Sequence, residues 1–97
     1  MLIKAGVDIS RLNREIRRAL PKIQKVLREH NTEMVVTSTY EGNHGDGSLH
    51  YCDDAVDVRK PIPFKESIKG ELKKELGPGY DIYVKGPCIH VEWDPKG

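Results

Sequence analysis

The chain predicts one small α+β domain, with helices packed on one side of a small antiparallel sheet. Its 97 residues suffice for a single domain, which we expect to span residues 1–97. Two segments repeat apolar residues at helical spacing, and four short segments have the composition of strands. These segments alternate irregularly, which favours an α+β domain over a regular βαβ architecture.

The first predicted helix spans residues 10–30. Its apolar positions recur at steps of three and four, which places them on one helical face; they are Leu12, Ile16, Ala19, Leu20, Ile23, Val26 and Leu27. Ser10 is the expected N-cap. Pro21 interrupts the pattern and predicts either a kink or two consecutive short helices. The basic residues of this segment indicate a solvated helix face, with a binding surface as the alternative; they are Arg14, Arg17, Arg18, Lys22, Lys25 and Arg28.

Two strands and a loop follow this helix. Residues 33–39 are rich in β-branched residues, which predicts a strand. Residues 40–50 contain three glycines, which predicts a loop. Residues 54–59 alternate in the manner of a strand, so that Val56 lies on one face and Asp57 on the other.

The last part of the chain predicts a helix and a hairpin. Residues 64–76 carry apolar side chains at steps of four, and Gly77-Pro78-Gly79 ends this helix. Residues 80–85 and 88–93 predict two strands that are joined at Gly86-Pro87, which is typical of a hairpin.

Composition and charge argue against several classes of function. The formal net charge is +1, so no large basic field points to nucleic acid. No stretch approaches the ~18 apolar residues of a membrane span, and the apolar run at the N-terminus is too short for a signal peptide. We therefore expect a protein that is made in the cytoplasm and has neither a nucleic-acid partner nor a membrane span.

Two histidines and one aspartate predict a catalytic zinc site. Asp57 is a lone carboxylate in an apolar strand, so its burial requires a cation or strong hydrogen-bond donors. An ion pair with Arg59 on the same face is the alternative. His50, Asp57 and His90 form a three-ligand set that leaves one coordination position open for water. Such a site activates the water for attack on a polarised carbonyl, and a general base must take the proton.

The residues around these positions resemble a known family. The segment SLHYCDDAVD, Ser48 to Asp57, resembles the S-x-H-x-x-G-x-A-x-D motif of the zinc D-Ala-D-Ala carboxypeptidase and L-alanyl-D-glutamate endopeptidase family. The segment CIHVEWD, which starts at Cys88, resembles its second motif, in which the last zinc histidine lies in a strand. The segment VVTSTYEG, residues 35–42, resembles the strand and turn that precede the first motif. The order of these elements covers most of the chain.

The resemblance implies a hedgehog/DD-peptidase fold and a zinc metallopeptidase, a carboxypeptidase or endopeptidase of the bacterial cell wall. This hydrolase would cut an amide bond in the peptidoglycan stem peptide through a zinc-activated water. His50, Asp57 and His90 correspond to the zinc ligands, and Ser48 to a residue on the substrate side. Compact members are often phage endolysins or parts of a phage particle, which implies action on the wall after phage-assisted release. We expect a monomer whose partner is the peptide substrate.

The sequence departs from the family pattern at several positions. Asp53 replaces the glycine of the first motif, and the arginine that many members carry in the first strand-turn is missing from residues 38–41. Pro87 and Cys88 occupy the positions where members place the carboxylate or histidine that handles the proton. For Cys88 three alternatives stay open: a fourth zinc ligand that makes the site structural, a disulfide with Cys52, or two reduced thiols.

Two residues are therefore candidates for proton transfer. Glu92 lies on the same strand face as His90 and could act as the base, although it is displaced from the family's position. His44, in the glycine-rich loop, could donate a proton or stabilise an oxyanion. The alternative to an enzyme is a non-catalytic, zinc-stabilised module that binds the cell wall or forms part of a phage particle. A small structural domain without a metal is the third hypothesis.

Overall fold

The computed structural model describes residues 1–39 and 54–95, and these form a small α+β protein with five strands and two helices. In chain order the elements are β1 (Leu2–Ile3), α1 (Arg14–Glu29), β2 (Val35–Ser38), β3 (Ala55–Arg59), α2 (Glu66–Leu76), β4 (Tyr80–Lys85) and β5 (Cys88–Trp93). The predicted α+β class is confirmed.

The five strands form one mixed sheet in the order β1-β2-β3-β5-β4. β1 runs parallel to β2, whereas the other three pairs are antiparallel. The predicted antiparallel sheet is therefore wrong at one edge. β1 has two residues, which is too short for the alternation that identifies a strand, and only its pairing with β2 defines it. β3 and β5 lie in the interior of the sheet, and they carry Asp57 and His90.

Both helices pack on the same face of the sheet. Alternate residues of the strands join the apolar faces of α1 and α2 in one buried cluster. Its fully buried large side chains include Ile16, Ile23, Leu27, Ile68, Leu72, Val56, Val58 and Ile89. Burying one such side chain contributes about 1.5–3 kcal/mol. This cluster fixes the sheet, so the opposite face of β3 and β5 is held in a defined position.

The start of α1 differs from the prediction. The N-cap is Asn13, not Ser10, because residues 8–12 form turns instead of helix. The Asp8 Oδ1 atom accepts a hydrogen bond of 2.8 Å from the Ser10 backbone N–H. Leu12 is buried although it precedes the helix, so its apolar character reflects tertiary packing. Pro21 does not divide α1 into two helices, because buried neighbours on both sides hold the element against the core.

The hairpin and the turn before it agree with the sequence. β4 and β5 have the predicted bounds, and Gly86 in the turn between them has a φ of 53°. Gly79 has a φ of 93°, and a Cβ atom there would lie 2.6 Å from Cζ3 of Trp93. Glycine is therefore required at this position for both backbone and space. The hydroxyl of Tyr80 donates a hydrogen bond of 2.7 Å to the backbone oxygen of Glu15, which ties β4 to α1.

α1 and α2 are the two helices of the described part of the chain. Neither is both long enough and apolar enough to cross a membrane.

Candidate metal centre

Two of the three predicted zinc ligands face each other across the middle of the sheet. β3 and β5 pair in antiparallel register with Asp57 directly opposite His90. Directly opposed side chains in such a pair have Cβ atoms about 4.5–5.5 Å apart, which is within contact range. The Nδ1 atom of His90 lies 2.8 Å from Oδ1 of Asp57. Strand pairing thus brings together two residues that are 33 positions apart in the chain.

The second ring nitrogen of His90 contacts another carboxylate. Its Nε2 atom lies 2.7 Å from Oε1 of Glu92, two residues further along β5 on the same face. The His90 side chain is 7% exposed, and those of Asp57 and Glu92 are 20% and 18% exposed. The imidazole is therefore held between two partly buried carboxylates, one at each nitrogen.

This arrangement favours a positive charge at the ring of His90. A neutral imidazole has one N–H group, so it can donate to only one of its two carboxylate neighbours. Burial alone lowers the pKa of His90, but the hydrogen bonds and charges of Asp57 and Glu92 outweigh it and raise the pKa above its ordinary value of 6.5. A metal cation at one nitrogen would place a positive charge beside the carboxylate there, as a second proton does.

The donor atoms of Asp57 and His90 fit a zinc ion. Imidazole nitrogen and carboxylate oxygen are both common zinc ligands, at bond lengths of about 2.0–2.1 Å. At tetrahedral angles, two such ligand atoms lie roughly 3.3 Å apart. The distance of 2.8 Å between His90 Nδ1 and Asp57 Oδ1 requires only a small opening of the pair. A carboxylate at the other nitrogen, as at His90, is usual for a histidine that binds a metal.

Cys88 lies beside the Asp57–His90 pair, but its sulfur contacts Thr37. Its Sγ atom is 3.5 Å from Oγ1 of Thr37, whose hydroxyl also donates a hydrogen bond of 3.3 Å to the backbone oxygen of Asp57. Cys88 is a free thiol, so a disulfide is not formed there. Arg59, the alternative partner of Asp57, is exposed at the end of β3. The face of the sheet thus presents the Asp57–His90 pair with a thiol at its side.

The sequence interpretation missed the contribution of β4 to this face. Tyr83 lies directly opposite His90 on the other side of β5, with the two ring centroids 6.1 Å apart. Asp81 lies opposite Glu92, and carboxylate oxygens of Asp81, Glu92 and Asp94 lie within 4.8 Å of one another. The two-residue turn of the hairpin sets this register, so it could have been deduced from the sequence. Exposed acidic groups are common without a metal, and Glu92 already contacts His90.

Three residues of the predicted site lie outside the residues that the structure describes. These are the third zinc ligand His50, the substrate-side residue Ser48 and the proton-transfer candidate His44; Cys52, the possible disulfide partner of Cys88, also lies there. Their roles stay predictions. So does the role of Glu92 in proton transfer, although its contact with His90 is defined.

Comparison with known proteins does not place the chain in a family. No family model matches it, and no curated protein matches it either. A function is therefore inferred from the Asp57–His90 pair and from the two sequence motifs.

Proposed function

We propose that this chain is a zinc metallopeptidase with a hedgehog/DD-peptidase-like fold that hydrolyses an amide bond in the peptidoglycan stem peptide. One observation carries the proposal. A buried His90 places Nδ1 2.8 Å from Oδ1 of Asp57 across two interior strands, at the positions that the two motifs assign to zinc ligands. The substrate class comes from the motif resemblance. The proposed site of action is the cell wall, which a monomer would reach by phage-assisted release.

Each side chain of the proposed site would have a separate role. Asp57 and His90 would hold the zinc ion together with His50. The ion would lower the pKa of a bound water to about 7 and polarise the substrate carbonyl. The carboxylate of Asp57 would offset part of the metal's charge. His90 would bind the metal as a neutral imidazole, through the lone pair of Nδ1. Ser48 would line the substrate side, and His44 or Glu92 would transfer the proton.

A second candidate function is a non-catalytic, zinc-stabilised module that binds the cell wall or forms part of a phage particle. One observation favours it. Oε1 of Glu92 is 2.7 Å from Nε2 of His90, so this carboxylate is engaged with the ring. If His44 does not supply the proton transfer, the site would bind zinc without cleaving a peptide. This alternative predicts that a chelator lowers the melting temperature and that wall binding occurs without cleavage.

Metal analysis combined with a cleavage assay tests both candidates. The purified chain is prepared without chelators, its zinc content is measured, and it is incubated with cell-wall fragments whose products are identified by mass spectrometry. We expect about one zinc per chain and release of a peptide or amino acid. Asp57→Ala and His90→Ala should abolish both, whereas Asp81→Asn, a matched change on the same face, should preserve both.

The outcomes separate the hypotheses. A zinc-loaded chain that cleaves no wall fragment at any pH refutes the peptidase and leaves the binding module. A chain that binds no zinc refutes both and leaves a structural domain.

A further inference from the structure

The geometry points to Glu92 as a positioning residue for His90, not as the base that takes the proton. Its carboxylate accepts the Nε2–H of His90 and holds the ring so that Nδ1 faces Asp57. This role rests on the proposed zinc site and deepens it. It also assigns one of the two proton-transfer candidates to a different task.

Each ring nitrogen of His90 contacts a carboxylate, and the proposed zinc site assigns Nδ1, on the side of Asp57, to the metal. Oε1 of Glu92 is 2.7 Å from Nε2, and Oδ1 of Asp57 is 2.8 Å from Nδ1. If Glu92 accepts the Nε2–H, the lone pair of the neutral ring is at Nδ1 and points toward an oxygen of Asp57. Two acceptors then face each other, which is unfavourable unless a second proton or a metal ion lies between them. The hydrogen bond to Glu92 thus selects the tautomer that can bind a metal together with Asp57.

The backbone holds Glu92 in this position from both sides. β5 lies between β3 and β4, and Glu92 is paired with Ala55 on one side and with Asp81 on the other. The carboxylates of Asp81 and Asp94 lie within 4.8 Å of that of Glu92. Neither neighbour offers the Glu92 carboxylate an N–H group, whereas the imidazole of His90 does. The side chain of Glu92 is 18% exposed, so most of its surface is covered by neighbouring residues.

The same geometry argues against Glu92 as the base. A general base must lie within hydrogen-bond reach of the proton that it takes, directly or through one water. The nitrogen that Glu92 contacts is on the opposite side of the ring from the one that faces Asp57. With a zinc ion held by Asp57 and Nδ1 of His90, a carboxylate at Nε2 would support the ring from the side away from the ion.

A pair of substitutions at Glu92 tests this role through metal affinity. Zinc affinity is measured by competition with a chromophoric chelator, and the ligand geometry is followed by the visible spectrum of the cobalt-substituted chain. Loss of a carboxylate behind a metal ligand costs about 10–100-fold in affinity. We expect that loss, with an altered cobalt spectrum, for Glu92→Ala. Glu92→Gln keeps an acceptor oxygen, so it should bind zinc within a few-fold of wild type and retain more activity than Glu92→Ala.

Asp81→Asn is the matched control, because it removes a carboxylate from the same face without touching His90. It should leave zinc affinity and the cobalt spectrum unchanged. Circular dichroism and thermal melts establish that each variant is folded. If Glu92→Ala does not fold, Glu92→Leu takes its place, because it fills a similar volume without an acceptor oxygen and should show the same loss of zinc affinity.

Three results would overturn the inference. Unchanged zinc affinity in Glu92→Ala means that the carboxylate does not position the ring. A loss in Glu92→Gln as large as in Glu92→Ala means that the charge itself is needed, as for a direct ligand. Full zinc affinity with complete loss of activity in Glu92→Gln identifies Glu92 as the base. A wild-type chain that binds zinc but cleaves nothing refutes the peptidase alone, whereas one that binds no zinc refutes the metal site and this role together.

Discussion

Replacement of Asp57 by alanine tests the metal centre through stability as well as activity. In the metal-free protein the change removes the 2.8 Å contact between Oδ1 and Nδ1 of His90. A hydrogen bond to a charged group contributes about 1.5–3 kcal/mol, and 1 kcal/mol shifts the melting temperature of a domain of this size by roughly 4–8 °C. The metal-free variant should therefore melt well below the metal-free wild type.

Zinc should enlarge this difference. A ligand at 100 times its dissociation constant stabilises the native state by about 2.7 kcal/mol, which corresponds to a rise of roughly 11–22 °C in a domain of this size. Wild type should show this rise on addition of zinc, and Asp57→Ala should show little of it because its affinity has fallen. Thermal melts followed by circular dichroism, with a chelator and then with zinc, measure both effects. An equal rise in Asp57→Ala and wild type would refute Asp57 as a ligand.

Three further predictions concern other parts of the fold. Cys88→Ser should keep zinc affinity within a few-fold in a chelator competition, because its sulfur lies at Oγ1 of Thr37; a large loss would identify the sulfur as a ligand. Gly79→Ala should lower the melting temperature by an amount that corresponds to about 1–3 kcal/mol, because a Cβ atom there lies 2.6 Å from the ring of Trp93 and the φ is 93°; an unchanged melt would contradict this. Burial raises the pKa of Tyr80 above 10.0, so its contribution to stability is fully present below pH 10 and is lost as the pH rises through the raised pKa. Urea denaturation between pH 9 and 11 should show this decline in wild type and a weaker one in Tyr80→Phe; equal declines would contradict it.

Local patterns were sufficient for the strands that carry Asp57, His90 and Glu92. The hairpin strands β4 and β5 have the bounds that alternation and Gly86-Pro87 predict. The start of α1 was not predictable in this way, because Leu12 continues the apolar pattern but is buried from a turn. β1 was not predictable either, since two residues become a strand only by pairing with β2.

For the candidate site, the pattern of residues along each strand was enough to predict which side chains share a face. Side chains alternate along a strand, and this local rule separates Asp57 from Val56 and groups His90 with Glu92. Two features of the site depend on tertiary structure instead. β3 pairs with β5 so that Asp57 lies opposite His90, and Glu92 contacts the far nitrogen of the ring. The pairing of distant strands depends on the shared apolar core, and the direction of a carboxylate depends on the charges around it. Neither the strand pairing nor the direction of the carboxylate can therefore be predicted from neighbouring residues in the sequence.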